Sequence, residues 1–106
     1  MVHVVATIEL HSGTRAQFLG EFQQIVATVR AEDGCLEYGA AVDVPTGLPA
    51  QPPVRDHVVV VVEKWRDLPA LQAHLVAPHM TDYRAKVKDV VIRTTLQVLE
   101  PAEPAA

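Results

Sequence analysis

The sequence predicts a single α+β domain of the ferredoxin-like type, in which an antiparallel sheet carries its helices on one face. The chain has 106 residues, enough for one hydrophobic core but too few for two. Four segments have the apolar patterns of strands, and two regions repeat apolar residues at helical spacing, in the order βαββαβ. We expect residues 1–100 to form this domain and the Pro- and Ala-rich residues 101–106 to be a tail.

The first three elements follow from local patterns. Residues 2–10 predict a strand, because apolar side chains occupy every second position on one face. The next segment predicts an amphipathic helix, in which Thr14 and Gln17 are spaced as a capping box and Gly34 can cap the end. Its apolar residues are Phe18, Phe22, Ile25 and Val29. Residues 35–44 predict a second strand, with Leu36, Tyr38, Ala40, Val42 and Val44 on one face.

The second half begins with a loop. Residues 45–56 contain four prolines and a glycine, which predicts a surface loop because proline cannot donate to a sheet. Residues 57–65 predict the third strand. A second helical region begins near Asp67, and Pro78 is expected to break it before it resumes. Residues 92–99 predict the fourth strand.

Charge and cysteine content narrow the possible partners. A net charge of −4 gives no electrostatic attraction to nucleic acid or an anionic membrane, and Arg84, Lys86 and Lys88 alternate as on a solvated helix face. The aliphatic run 58–62 is far below the roughly 20 residues of a membrane helix, and the N-terminus lacks signal-peptide features. The single Cys35 cannot form an intrachain disulfide. These features favour a cytoplasmic protein without nucleic-acid or membrane partners.

The sequence contains no cofactor motif that we recognise. It has neither a Gly-rich phosphate loop nor a dinucleotide fingerprint. The pairs His3/His11 and His74/His79 lack the i, i+4 spacing that places two zinc ligands on one helix face. We therefore expect no metal, flavin, nicotinamide or ATP.

The third strand also predicts an assembly. Its valines point alternately to both faces, so both faces require burial. Two helices can cover only one face of a four-stranded sheet, which would leave a large apolar patch on a monomer. We therefore expect a homodimer that packs sheet against sheet.

The end of the same strand carries the candidate site. By alternation, Glu63 and Trp65 share a face with the inward valines and point toward the second helical region. His74 and His79 lie in that region, and a helix break between them can turn both toward one cavity. Tyr38 completes the wall if the second and third strands pair. Apolar walls with a few convergent polar groups are typical of a small-molecule pocket.

Each of these residues also has a structural interpretation. Trp65 can be an anchor in the core or at a dimer interface, and Tyr38 can serve packing alone. Glu63 can pair with a basic side chain at the strand end. His74 can be a polar helix residue, and His79 a cap or turn residue. The pattern leaves these alternatives open.

The chain resembles the antibiotic biosynthesis monooxygenase family, particularly its quinol monooxygenase-like members, from residue 2 to about 100. The resemblance rests on "VVATIELHSGTRAQFL", "AEDGCLEYG" and "VEKWRDLPALQAHLVAPHM". Its most specific feature is "GCLEY" followed by "EKW" and two histidines. The resemblance implies a dimeric α+β barrel with a pocket between sheet and helices in each subunit. For some members it also implies oxygenation without metal or flavin.

The resemblance implies a small quinol, phenol or anthrone-type substrate and O2 as the reactants. Such a substrate, once deprotonated, can pass an electron to O2, so the enzyme needs a base and a dry pocket. His74 is the first choice for the base and His79 the second. Glu63 would orient the imidazole or a substrate hydroxyl, while Trp65 and Tyr38 would stack on the ring.

Other functions of the same fold remain open. Haem-degrading relatives use an asparagine and a tryptophan where this chain has Thr7 and His74, so we do not expect haem degradation. One alternative is a non-catalytic small-molecule-binding or stress-associated dimer. Another is an isomerase or lyase that uses the same base and consumes no oxygen.

Overall fold

The computed structural model describes residues 1–103, and residues 104–106 of the predicted tail lie outside the described residues. The elements are β1 Val2–Leu10, α1 Arg15–Arg30, β2 Cys35–Ala41, β3 Val58–Trp65, α2 Leu68–Leu75, α3 Pro78–Val87 and β4 Val91–Leu99. The predicted ferredoxin-like α+β fold is confirmed. The second helical region is divided into α2 and α3, as Pro78 predicted.

The sheet has the strand order β2-β3-β1-β4, and all neighbouring strands run antiparallel. At its centre, Ala6 pairs with Val61 on one side and Leu96 on the other. The even-numbered residues of β1 from Val4 to Leu10 are buried, as the alternation predicted. The helices therefore pack on the face that these residues share, and the opposite face of the sheet is left uncovered.

The predicted N-cap of α1 is wrong in its detail. Thr14 is the N-cap residue, but its side chain makes no capping bond to the helix. Its hydroxyl instead donates to the His11 carbonyl oxygen at 2.7 Å, in the turn that leaves β1. The capping box with Gln17 is thus replaced by a turn that positions the chain before the helix. The buried face comprises Phe18, Phe22, Val26 and Val29, with Ile25 only partly buried at its side.

The C-terminal cap of α1 also differs from the prediction. The helix ends at Arg30 and Ala31 is the cap, with its N–H bonded to the Ala27 carbonyl oxygen, while the Glu32 N–H bonds to that of Val29. Gly34 lies beyond the cap with φ +83 and directs the chain into β2. A Cβ at Gly34 would lie 2.6 Å from the Ala70 Cβ of α2. Gly34 therefore allows a left-handed turn close against another helix.

The second strand is shorter than predicted. It ends at Ala41, and a register shift between Cys35 and Glu37 leaves Leu36 57% exposed. Leu36 consequently does not share the buried face of Tyr38 as alternation had predicted. The predicted loop then runs to β3, and Arg55 Nε forms a salt bridge with Asp43 Oδ2 at 2.8 Å across it.

The third strand and the start of α2 follow the prediction closely. Val59, Val61, Glu63 and Trp65 are all buried on the helix-facing side. The Asp67 side chain accepts the Ala70 N–H at 2.9 Å and so caps α2.

Within residues 1–103, each helix is too short or too polar to cross a membrane.

Candidate functional site

Glu63 is a buried carboxyl group near the end of β3. The sheet register places it between Val4 of β1 and Tyr38 of β2, and only 6% of the residue is exposed. Its Oε1 accepts the Trp65 indole N–H at 2.9 Å. Burial raises the pKa of Glu63 to about 6, although the bond from Trp65 lowers it and the Glu32 carboxylate raises it slightly further. Glu63 can therefore change protonation state close to neutral pH.

His74 lies at the centre of the cluster, on the last turn of α2. The side chain is 2% exposed, and its ring centroid lies 4.6 Å from that of Trp65 and 5.5 Å from that of Tyr38. Burial lowers the pKa of His74, while the hydrogen bond to Glu32 opposes that shift. The apolar surroundings thus favour the neutral imidazole.

Glu32 fixes the orientation of this imidazole. Its Oε2 lies 2.8 Å from His74 Nδ1, and because a carboxylate only accepts hydrogen bonds, Nδ1 carries the hydrogen. Nε2 is then left with its lone pair and lies 4.0 Å from Glu63 Oε1. A carboxylate that holds one imidazole nitrogen and leaves the other free is the arrangement of a general base.

His79 lies on the opposite side of Glu32, at the start of α3. Its Nε2 is 2.9 Å from the same Glu32 Oε2, so the two imidazoles share one carboxylate oxygen. His79 borders a groove between α1 and α3 that includes Glu21 and Asp82. The sequence analysis expected His74 and His79 at one cavity. In the structure Glu32 links them, but His74 lines the cavity between sheet and helices and His79 borders the groove between α1 and α3.

The ligand atoms of Glu32, His74 and His79 lie within 4.8 Å of one another. Two imidazoles and a carboxylate are donors that zinc accepts. In the structure, His74 Nδ1 and His79 Nε2 are both hydrogen-bonded to the same Glu32 oxygen, which links the three side chains directly. We therefore interpret the cluster as a hydrogen-bonded network.

A cavity of about 640 Å³ lies between the sheet and the helices α2 and α3. The polar side chains that line it include Tyr38, Glu63 and His74 at the buried end. Apolar walls come from Ala6, Ile8, Phe18, Val61, Leu75, Met80, Val87, Val91 and Leu96. This volume is within the range of sites that bind small molecules.

Trp65 is not among the residues that line this cavity and is completely buried. It contacts the Glu63 carboxylate through its N–H and the His74 ring through its face. The predicted stacking of Trp65 on a substrate ring does not agree with this position. Its position supports a role in holding Glu63 and His74, whereas Tyr38 does reach the cavity.

Two features of the site were missed from the sequence. Glu32 lies in the short turn after α1, where the "AED" segment resembles any polar helix end. Tyr83, Arg84 and Lys88 of the α3 segment also line the cavity. Their spacing with Met80 and Val87 on one helix face was the available signal.

Comparisons with known proteins show which family the chain is similar to. A model of the antibiotic biosynthesis monooxygenase family matches residues 1–86. The chain is 36% identical over 103 residues to the probable quinol monooxygenase YgiN of Escherichia coli strain K12, covering 95% of this chain and 98% of that protein. The relationship therefore extends over nearly the whole length of both proteins.

Solved structures support the same assignment. Rv0793 from Mycobacterium tuberculosis superposes with a TM-score of 0.78 at 26% identity, covering 99% of this chain and 98% of that chain. A mutant of SnoaB, a cofactor-independent oxygenase from Streptomyces nogalater, gives a TM-score of 0.75 at 14% identity, covering 97% of this chain and 94% of that chain. This likeness supports the fold alone. From the family match and the long relationship to YgiN, this chain belongs to the antibiotic biosynthesis monooxygenase family.

Proposed function

We propose that this protein is a cofactor-independent monooxygenase that oxidises a small quinol, phenol or anthrone-type substrate with O2. The observation that carries the proposal is His74, which lines an apolar cavity and has its Nδ1 held by Glu32. The name of the relative YgiN supports a quinol as the substrate class. Within the proposal, His74 is the base and Glu63 and Tyr38 contact the substrate.

The reaction requires a proton acceptor in a dry cavity. His74 Nε2 would take a proton from a substrate hydroxyl or an acidic ring CH2, and Glu32 would stabilise the imidazolium through Nδ1. The electron-rich anion then passes one electron to O2, and the resulting radical pair forms a C–O bond. The imidazolium returns its proton to the peroxide oxygen, which leaves a hydroperoxide.

Loss of water completes the reaction. The carbon that bears the hydroperoxide, the CH2 carbon of an anthrone or a ring CH carbon of a phenol or quinol, loses its remaining hydrogen with the terminal OH and becomes a carbonyl. One oxygen atom of O2 thus enters the product and the other leaves as water. The substrate supplies all four electrons that O2 accepts, two hydrogens leave as water, and no outside reductant is needed. Glu63 would accept a hydrogen bond from the second substrate oxygen, and Trp65 would keep the carboxylate in place.

His79 has a supporting role in this proposal. It bonds to the same Glu32 oxygen as His74 but borders the groove between α1 and α3. We infer that His79 stabilises Glu32 and does not take the substrate proton. The second choice of base from the sequence thus becomes a positioning residue.

We also propose a homodimer that buries the uncovered face of the sheet. Val62 on this face is 39% exposed, and its neighbours Val5 and Val60 are only half-buried. Val62 and Val5 are paired across β3 and β1, so the apolar surface is continuous at the centre of the sheet. Such a surface favours a second copy of the same chain as its cover.

Oxygen uptake tests the function directly. Metal-stripped protein is mixed with a panel of hydroquinones and anthrones, and oxygen consumption is compared with protein-free autoxidation. We expect uptake with stoichiometric product formation, and a fall of about 10²- to 10⁴-fold in His74→Ala because the base is lost. The matched control is His11→Ala, which removes an exposed histidine outside the cavity and should leave the rate unchanged.

A second variant distinguishes the role of His74 as the base from the role of Glu32, which holds it. Glu32→Gln keeps an acceptor for His74 Nδ1 but removes the negative charge that raises the His74 pKa. The acid limb of the rate profile should therefore move to lower pH, with a smaller loss of kcat than in His74→Ala. Uptake equal to autoxidation across the panel would contradict an oxygenase and favour the binding protein.

A further inference from the structure

Two cationic side chains lie at the open end of the cavity. Arg84 and Lys88 are one helical turn apart on α3 and its C-terminal cap, and both line the cavity. Both residues are exposed, whereas Glu63 and His74, which line the same cavity, are buried. The cavity therefore has cations where it meets solvent, polar groups where it is buried, and otherwise mostly apolar walls.

The position of Arg84 is fixed by the fold. Its Nη2 donates a hydrogen bond to the Leu75 carbonyl oxygen at 2.7 Å, at the end of α2. This leaves the other guanidinium nitrogens free to bind a ligand. Within residues 1–103, neither Arg84 nor Lys88 forms a salt bridge with a carboxylate.

The charge at the cavity differs in sign from that of the protein. The chain has a net charge of −4, yet among residues 1–103 the cavity is lined by two cations and by one carboxyl group, that of Glu63. The charge of Arg84 also reaches inward, since it adds to burial in lowering the pKa of His74. An anionic ligand would therefore be attracted to a site on an otherwise acidic protein.

We propose that Arg84 and Lys88 select an aromatic substrate that carries an anionic substituent, such as a carboxylate, in addition to its reacting hydroxyl. The hydroxyl end lies at His74 and Glu63, the ring occupies the apolar middle, and the carboxylate meets the two cations. Arginine suits this position because its planar group can bind both oxygens of a carboxylate. The inference rests on the proposed function for the aromatic part of the ligand.

If Arg84 and Lys88 only stabilised α3, their substitution would have the same effect as substitution of another cation in the last turn. Cations in the last turn of a helix interact favourably with its dipole, and Lys86 belongs to the same turn. Lys86 borders the groove between α1 and α3 and not the cavity. Lys86→Ala therefore matches Lys88→Ala in residue type, helix and charge, but should not affect a ligand in the cavity.

The test compares (2,5-dihydroxyphenyl)acetate with its neutral amide. Affinity is measured by titration calorimetry under argon, so that no turnover occurs. We expect the acid to bind the native protein and Lys86→Ala about 3- to 10-fold more tightly than the amide. In Arg84→Ala and in Lys88→Ala this preference should fall toward equality, and added salt should reduce it in the native protein.

Each other outcome overturns the inference. Equal binding of acid and amide by the native protein, binding of neither, or an equal loss of preference in Lys86→Ala would each do so. Oxygen uptake distinguishes this result from failure of the proposed function. A preference for the acid without any oxygen uptake would contradict the oxygenase and support the anion site. Oxygen uptake without that preference would support the oxygenase and contradict the anion site.

Discussion

Glu63 gives the clearest prediction for a single residue. The carboxyl has a pKa of about 6 in the folded chain, against an ordinary value of 4.5. Because the folded state holds this proton more tightly than the unfolded chain, the stability it contributes is present below pH 4.5 and is lost as the pH rises through 6. Ionised Glu63 therefore destabilises the protein at neutral pH.

We expect Glu63→Gln to raise the free energy of unfolding by about 1–2 kcal/mol above pH 6, with little effect below pH 4.5. The glutamine oxygen can still accept the Trp65 N–H, so packing is preserved. Urea denaturation followed by fluorescence of the single tryptophan measures the effect. Glu100→Gln, at an exposed position just after β4, is the control. A loss of stability in Glu63→Gln above pH 6 would contradict the prediction.

The sequence predicted the members of the site better than their contacts. Strand alternation correctly placed Glu63 and Trp65 on the buried face, because that periodicity is fixed by backbone geometry. It could not identify Glu32, since the hydrogen bonds to His74 and His79 join residues 42 and 47 positions apart in the chain. Such contacts depend on how the turn after α1 meets α2 and α3 in the folded chain, which local patterns do not determine.

At the scale of the elements, Gly34 links the end of α1 to the packing of α2. Two effects act at this position: a φ of +83 that disfavours a side chain, and a close approach to Ala70. Gly13 has a similar φ of +79 but open space around it. Comparing the two glycines separates the backbone effect from the packing effect.

We expect Gly13→Ala to destabilise the protein by about 1–2 kcal/mol, through the backbone alone. Gly34→Ala should cost about 1–3 kcal/mol more, because its Cβ would force α2 away from the turn. Urea denaturation of the two variants at the same pH gives both values. Equal losses would show that α2 moves aside without cost, and the close approach would then be unimportant.

The elements that sequence predicted well are those with strong local determinants. Pro78 ended one helix and began another because its ring cannot fit inside a helix. The capping box at Thr14 failed because the hydroxyl has a competing partner, the His11 carbonyl oxygen. The position of Leu36 failed because a register shift interrupts the alternation. In both cases a hydrogen bond or a strand register outside the simple pattern decides the position of the side chain.

At the scale of the whole molecule, the fold class could be predicted because few antiparallel topologies satisfy a βαββαβ sequence. The same βαββαβ pattern predicts that the second face of the sheet is not covered by any element of a single chain. Val58 is already buried there, while Val62 remains exposed at the centre. A second copy would complete the burial that five consecutive valines require.

The dimer can be tested by a charge on that face. We expect the native protein to sediment with twice the 11.6 kDa mass of the chain. Val62→Asp would place a carboxylate within the apolar interface, so it should dissociate the dimer while circular dichroism stays native. Val76→Asp, at a 77% exposed position between α2 and α3, is the matched control and should remain dimeric. A native monomer at micromolar concentration, or a dimer that tolerates Val62→Asp, would contradict pairing through this face.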